Sequence, residues 1–153
     1  METNLYRAKT KEWLNDLYQF KDAIFISVHY SEYLKIGTAT KFDERLDINK
    51  RFLRNLEKKQ KIKGGRNRLK RLVVMEGKES GNKHCHMIIE IPENKDYREF
   101  SLDCFFASNL TKGFNCDFGE KHIQVYEQSG LIDYLTKESN YNIDNIDTKN
   151  SRY

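Results

Sequence analysis

Apolar positions along the chain follow two periods, and the switches between them mark out its elements. Trp13, Leu14, Leu17 and Tyr18 recur at three or four residues within 8–20, the spacing of one helix face. An apolar run over 22–30 reads as a strand, and after a loop through Gly37 the residues Phe52, Leu53 and Leu56 form the stripe of a helix over 46–61. Strands follow at 70–76 and 83–91, the second ended by Pro92. Phe100, Cys104 and Phe105 form the inward face of a helix over 96–110, and 120–127 reads as a last strand. The order β-α-β-β-α-β closes readily as a ferredoxin-like α+β unit, a central antiparallel sheet with helices packed on one face. From Ser139 onward Asn, Asp, Ser and Lys dominate, so the chain divides into a domain over 1–138 and a polar tail over 139–153 expected to be flexible.

Alternation within the central pair of strands separates two chemistries. Val73, Met75, Cys85, Met87, Ile89 and Ile91 share one parity and are expected to face a core. His84 and His86 share the other. With 77–83 as the hairpin loop, Glu76 has the same parity as the two histidines, so three metal-ligand side chains leave one face of the sheet together. The plain alternative is two surface histidines and a carboxylate flanking a turn by chance. As a ligand set, Glu76, His84 and His86 suit Mn²⁺ or Zn²⁺ better than Mg²⁺, although Mg²⁺ can serve through abundance.

A second candidate lies downstream, where 130–138 reads as a short helix with Leu131, Ile132 and Leu135 as its stripe. Tyr134 and Lys137, three apart, share a neighbouring face. A tyrosine hydroxyl can attack a phosphodiester while a lysine one turn on neutralises charge beside it. The same residues also permit a packing tyrosine with an Asp133–Lys137 pair.

Charge changes the picture locally. The net charge is only +4, yet 58–71 carries eight Lys or Arg residues and no acid. A charge run of this kind is either a solvated face or a phosphate track, and Lys61, Lys63, Arg66, Arg68 and Lys70 are the candidate DNA contacts, expected as a basic flap near the Glu76 end of the following strand. Gly64 and Gly65 break the run, but the Gly-Lys-Ser/Thr ending of a phosphate loop is missing, so there is no sign of an ATPase or helicase. Cys85, Cys104 and Cys116 are odd in number and lack Cys-x-x-Cys spacing, which points to reduced thiols rather than a disulfide framework or zinc knuckle. No apolar run reaches membrane-spanning length and the N-terminus lacks a signal-peptide core, so an intracellular, cytoplasmic chain is expected.

The ordered set of Glu76, His84-Cys85-His86 and Tyr134-Leu-Thr-Lys137 resembles the HUH endonucleases, specifically the rolling-circle replication initiators (Rep proteins) of plasmids and small single-stranded DNA viruses. The similarity extends over about 22–138. Cys85 stands where a larger aliphatic is usual, the strand Phe25 to Tyr30 matches only as a hydrophobic strand, and a single tyrosine occupies the motif helix. The resemblance implies a divalent metal (Mn²⁺ or Mg²⁺, with Zn²⁺ possible) on Glu76, His84 and His86, and Tyr134 as nucleophile with Lys137 beside it. It implies nicking and rejoining of single-stranded or stem-loop origin DNA through a 5′-phosphotyrosine, with a separate helicase and polymerase as partners. His29, His122 and Gln124 can point to the same sheet face, where packing, solvent, DNA and metal contact are all open to them. A small HUH transposase uses the same chemistry on stem-loop DNA, and a noncatalytic single-stranded nucleic-acid-binding module is the alternative from another class; a plasmid relaxase fits less well.

Overall fold

The computed structural model describes residues 2–30, 42–62, 68–76, 84–118, 122–126 and 146–153. Among them, α1 (Glu2–Leu17), β1 (Ala23–Tyr30), α2 (Phe42–Lys59), β2 (Arg71–Met75), β3 (His84–Glu90), α3 (Tyr97–Asn109), β4 (Phe114–Asn115) and β5 (Ile123–Val125) follow one another. The strands form one antiparallel sheet in the order β2-β3-β1, with β4 and β5 placed end to end along the far edge of β1. β1 and β2 are separated in the sheet by β3, so α2 crosses over a split pair, an arrangement compatible with a ferredoxin-like α+β class. β4 was not anticipated from the sequence; two residues are too short for an alternating signal, and Gly113 at φ 86° supplies the left-handed turn that leads into it.

Local signals account for the helix ends. Asp96 caps α3 by accepting the backbone N–H of Glu99 at 2.8 Å. α2 carries Asp43 and Glu44 in its first turn and Lys58 and Lys59 in its last, complementing the helix dipole. α2 closes with N–H groups of Lys61 and Ile62 donating to the carbonyls of Lys58 and Glu57, the bonding of a Schellman cap. That cap requires a left-handed residue, and Lys61 supplies it at φ 60° although it carries a Cβ.

Both faces of the sheet are apolar. Val73, Met75, Cys85, Met87 and Ile89 face α2 and α3 as the alternation predicts, and they join Ile48, Phe52, Leu56, Phe100 and Cys104 in the main core. Each such fully buried side chain contributes roughly 1.5–3 kcal/mol. The opposite face holds a second cluster in which Phe25, Leu72, Val74 and Ile88 pack with Leu14 of α1, Tyr18, Phe20, Tyr126 and Ile146. The histidine-bearing face is therefore covered over much of its area.

The tail expectation fails for 146–153. Ile146 and Arg152 form antiparallel bridges with Val74 and Arg71 of β2, and Asp147, Asn150 and Ser151 are buried. The free edge of β2 explains this, because an edge strand presents unpaired backbone groups that a passing segment can satisfy. Residues 139–145 lie outside the described residues. Among the described residues no helix is long and apolar enough to cross a membrane.

Candidate metal centre on the histidine face

Register brings all four histidines of the chain onto one sheet face. Ser27 pairs with His86 and His29 with His84 across β1 and β3. The ladder between β2 and β3 continues one step beyond Met75, with the Glu76 N–H donating to the His84 carbonyl at 2.9 Å. Glu76 is thus opposite His84 and diagonal to His86, as the hairpin parity predicts. On the other side, Gln124 pairs with Phe25, and the Ser27 N–H donates to the His122 carbonyl, which gives His122 and Gln124 the same facing.

The closest pair is Glu76 and His86. Glu76 Oε1 lies 3.1 Å from His86 Nε2, with both side chains nearly buried. His86 Nδ1 lies 3.2 Å from Ser27 Oγ, and the imidazole stacks on Phe25 at 5.2 Å between ring centroids and 15° between planes. When Nδ1 donates to the hydroxyl, Nε2 turns a lone pair toward the carboxylate, the arrangement usual for an imidazole that holds a metal. Contact with His86 keeps the Glu76 carboxyl below the ordinary carboxylate range, against burial, which pushes it up; the charge of His84 adds to the lowering.

His84 turns aside from this pair. Its ring meets His29 edge to face at 4.4 Å, and His29 in turn lies 6.0 Å from His122. Among the described residues no group of three His, Cys, Asp or Glu side chains is gathered closely enough to hold a metal ion. Glu76 Oε1 meets His86 Nε2, while His84 Nδ1, buried and of the same expected ligand set, lacks a hydrogen-bond partner. A buried polar atom left unsatisfied is costly, and a cation bound there removes that cost. In donor chemistry and in this orphaned nitrogen, the three residues fit a divalent metal.

The back of the site is held by Asn49 of α2. Tyr30, Met75 and Cys85 are sequence neighbours of His29, Glu76 and the two motif histidines, and they point to the opposite face. The Tyr30 hydroxyl donates to Asn49 Oδ1 at 2.6 Å, Asn49 Nδ2 donates to Met75 Sδ at 3.2 Å, and Cys85 Sγ lies 3.8 Å from Asn49 Oδ1. One buried amide thereby ties the three strands together directly behind the ligands. Burial pushes the Cys85 thiol far up, so this cysteine between two histidines is a packing residue, not a ligand. Arg45 Nη1 donates to the Glu76 carbonyl at 3.1 Å and steadies the end of the strand.

Sequence reasoning missed Ser27, Phe25 and Asp117, whose Oδ2 lies 3.5 Å from His122 Nε2. Ser27 and Phe25 were discoverable from period-two alternation with His29; Asp117 was not, because it precedes β5 in an irregular segment. Tyr134, Lys137, Lys63 and Arg66 lie outside the described residues. The basic run is not beside Glu76 where it is described. Lys70 and Glu76 flank opposite ends of β2, about 20 Å apart at ~3.3 Å per residue. Lys70 is also engaged, donating to the Gln19 carbonyl and lying 5.4 Å over the Phe20 ring, whereas Lys61 and Arg68 are exposed. Comparison with family models, with curated proteins and with solved structures found no match to this chain.

Proposed function

We propose that the chain is a metal-dependent endonuclease that nicks and rejoins single-stranded DNA at an origin to start rolling-circle replication. The observation that carries this reading is the approach of Glu76 Oε1 to His86 Nε2 with His84 Nδ1 left without a hydrogen-bond partner on the same face. Glu76, His84 and His86 would hold Mn²⁺ or Mg²⁺, with His84 turning from His29 to join the other two. A bound divalent ion supplies Lewis acidity toward a phosphate oxygen.

The protein's own groups do the rest. Ser27 Oγ anchors His86 Nδ1, Phe25 fixes the plane of its ring, and Asn49 holds the three strands from behind. Tyr134 is the nucleophile: its hydroxyl oxygen attacks the scissile phosphorus, the bond to the 3′ oxygen breaks, and the 5′ phosphate stays on the tyrosine. A phenol of pKa near ~10 is only about one part in a thousand ionised at neutral pH, so the attack needs neighbouring positive charge, which Lys137 supplies in part. Rejoining is the reverse, with the 3′ hydroxyl displacing the tyrosine.

The test is incubation with a labelled single-stranded origin oligonucleotide and Mn²⁺, followed by denaturing electrophoresis and peptide mapping. A covalent adduct at Tyr134 that disappears in Tyr134→Phe supports the proposal. An adduct on another tyrosine overturns the assignment of the nucleophile, and no adduct with any single-stranded substrate favours a noncatalytic binding module. His86→Ala should abolish both Mn²⁺ binding by calorimetry and cleavage.

A further inference from the structure

The outer face of α3 is apolar as well as its inner one. Phe100, Cys104 and Ala107 are buried in the main core, yet Leu102, Phe106 and Leu110 recur every fourth residue on the other side and are 39%, 51% and 75% exposed. That row runs about 12 Å along the helix at ~1.5 Å per residue. Phe118, also exposed, widens it through the half-buried Phe105, whose ring lies 6.1 Å from Phe106 and 5.6 Å from Phe118. Single exposed apolar residues are ordinary, but a contiguous patch of them marks an interaction site.

Where the row meets the end of α2 the surface is hollow. Asn55, Lys58 and Lys59 form one wall and Phe106, Ala107 and Leu110 the other of a groove of about 460 Å³. Among the described residues no carboxylate lines it. Lys58 and Lys59 are exposed and have no ion-pair partner among the described residues, and the Lys59 ammonium lies 5.6 Å over the Phe106 ring. Apolar side chains beneath two unpaired cations complement a ligand that is apolar on one side and anionic along its edge.

We propose that this groove binds an acidic amphipathic helix of a partner protein, whose apolar stripe lies on Leu102, Phe106 and Leu110 while its carboxylates meet Lys58 and Lys59. Charge argues against a second copy of this chain, because a two-fold contact sets Lys58 and Lys59 of one copy against the same lysines of the other. A stacked base finds no free ring, since Lys59 overlies Phe106 and the neighbouring Ala107 and Leu110 are aliphatic. A membrane surface takes up a protruding amphipathic face, not a hollow between two helices. The groove lies on the helix side of the sheet, away from the histidines, and does not rest on the endonuclease reading.

Selection on the full chain from a displayed library of short helical peptides, with the apolar stripe fixed and the polar positions randomised, tests it. Peptides rich in Asp and Glu should be enriched, and the best of them should bind saturably by fluorescence anisotropy. Phe106→Asp with Leu110→Asp, and separately Lys58→Glu with Lys59→Glu, should each weaken that binding about tenfold or more, since the first pair removes the apolar anchors and the second reverses the charge at exposed positions. Lys58→Gln with Lys59→Gln is the milder variant and should weaken it in the same direction, with circular dichroism showing that each variant is folded. No enrichment, enrichment without an acidic excess, or binding indifferent to all three variants would overturn the proposal. So would binding of oligothymidylate, or of phosphatidylcholine–phosphatidylserine vesicles, that the Phe106 and Leu110 replacements abolish, or a dimer in sedimentation that they dissolve, because each gives the groove a different occupant.

Discussion

Replacing Asn49 by alanine should destabilise the protein far more than the size of the side chain suggests. Asn49 is fully buried and makes contacts to β1, β2, β3 and the 146–153 segment, the last through Asp147 Oδ2 at 3.4 Å. In Asn49→Ala the Tyr30 hydroxyl, itself buried, keeps only Met75 Sδ at 3.7 Å, a weak acceptor. Stranding that donor costs about 1–3 kcal/mol. Asp147 loses less, because Asn150 still donates to Oδ2 at 2.6 Å and to Oδ1 at 3.1 Å. Adding roughly 1 kcal/mol for this bond and the small void gives a total of about 2–4 kcal/mol, a large part of the ~5–15 kcal/mol that stabilises a domain. Tyr30→Phe removes only the hydroxyl and should cost about 1 kcal/mol. Urea unfolding followed by circular dichroism measures each variant, with an unchanged m-value showing that the native fold is retained. The double variant should cost less than the sum of the singles, because phenylalanine leaves no hydroxyl to strand. Strict additivity, or a loss below about 1 kcal/mol for Asn49→Ala, would refute the view that this amide ties the strands together behind the histidine face.

Other outcomes follow from the same contacts. Lys61→Gly should stabilise the protein by about 0.5–1 kcal/mol in the same unfolding assay, since glycine adopts the left-handed cap conformation without a Cβ clash. Burial, then the charges of His84 and His122, lowers the His29 pKa from its ordinary 6.5, while Asp117 opposes the shift. The unfolded chain therefore takes up this proton first: the stability contribution is complete above pH 6.5 and drains away as pH falls below it, so melting temperature should drop on acidification and His29→Gln should flatten the drop. Glu76, held low by His86, adds a loss of the same sign at still lower pH, and Glu76→Gln should remove that part. If the basic run contacts about four phosphates of a single strand, log K should fall with log salt at a slope near ~−3, and joint neutralisation of Lys61, Lys63, Arg66 and Arg68 should flatten it; an unaltered slope returns the run to a solvated face.

Much of the architecture was legible in the sequence because it depends on local periodicity. Alternation alone separated Val73, Met75, Cys85 and Met87 from Glu76, His84 and His86, and the hairpin parity that put Glu76 opposite His84 needs nothing beyond the two-residue repeat of a strand. Helix spacing located α2 and α3 to within a few residues, and the main core residues followed from it. What tertiary structure decided is what depends on contacts between distant segments. Only pairing with β1 could bring Ser27 and Phe25 onto His86 and gather His29 and His122 beside His84. Only the exposed edge of β2 could recruit 146–153, a stretch whose composition favours solvent but whose backbone groups find partners there. Lys70 and Arg68 of the basic run are near Glu76 in sequence and yet beyond the other end of β2 in space, because a strand carries its two ends apart by about 3.3 Å for every residue.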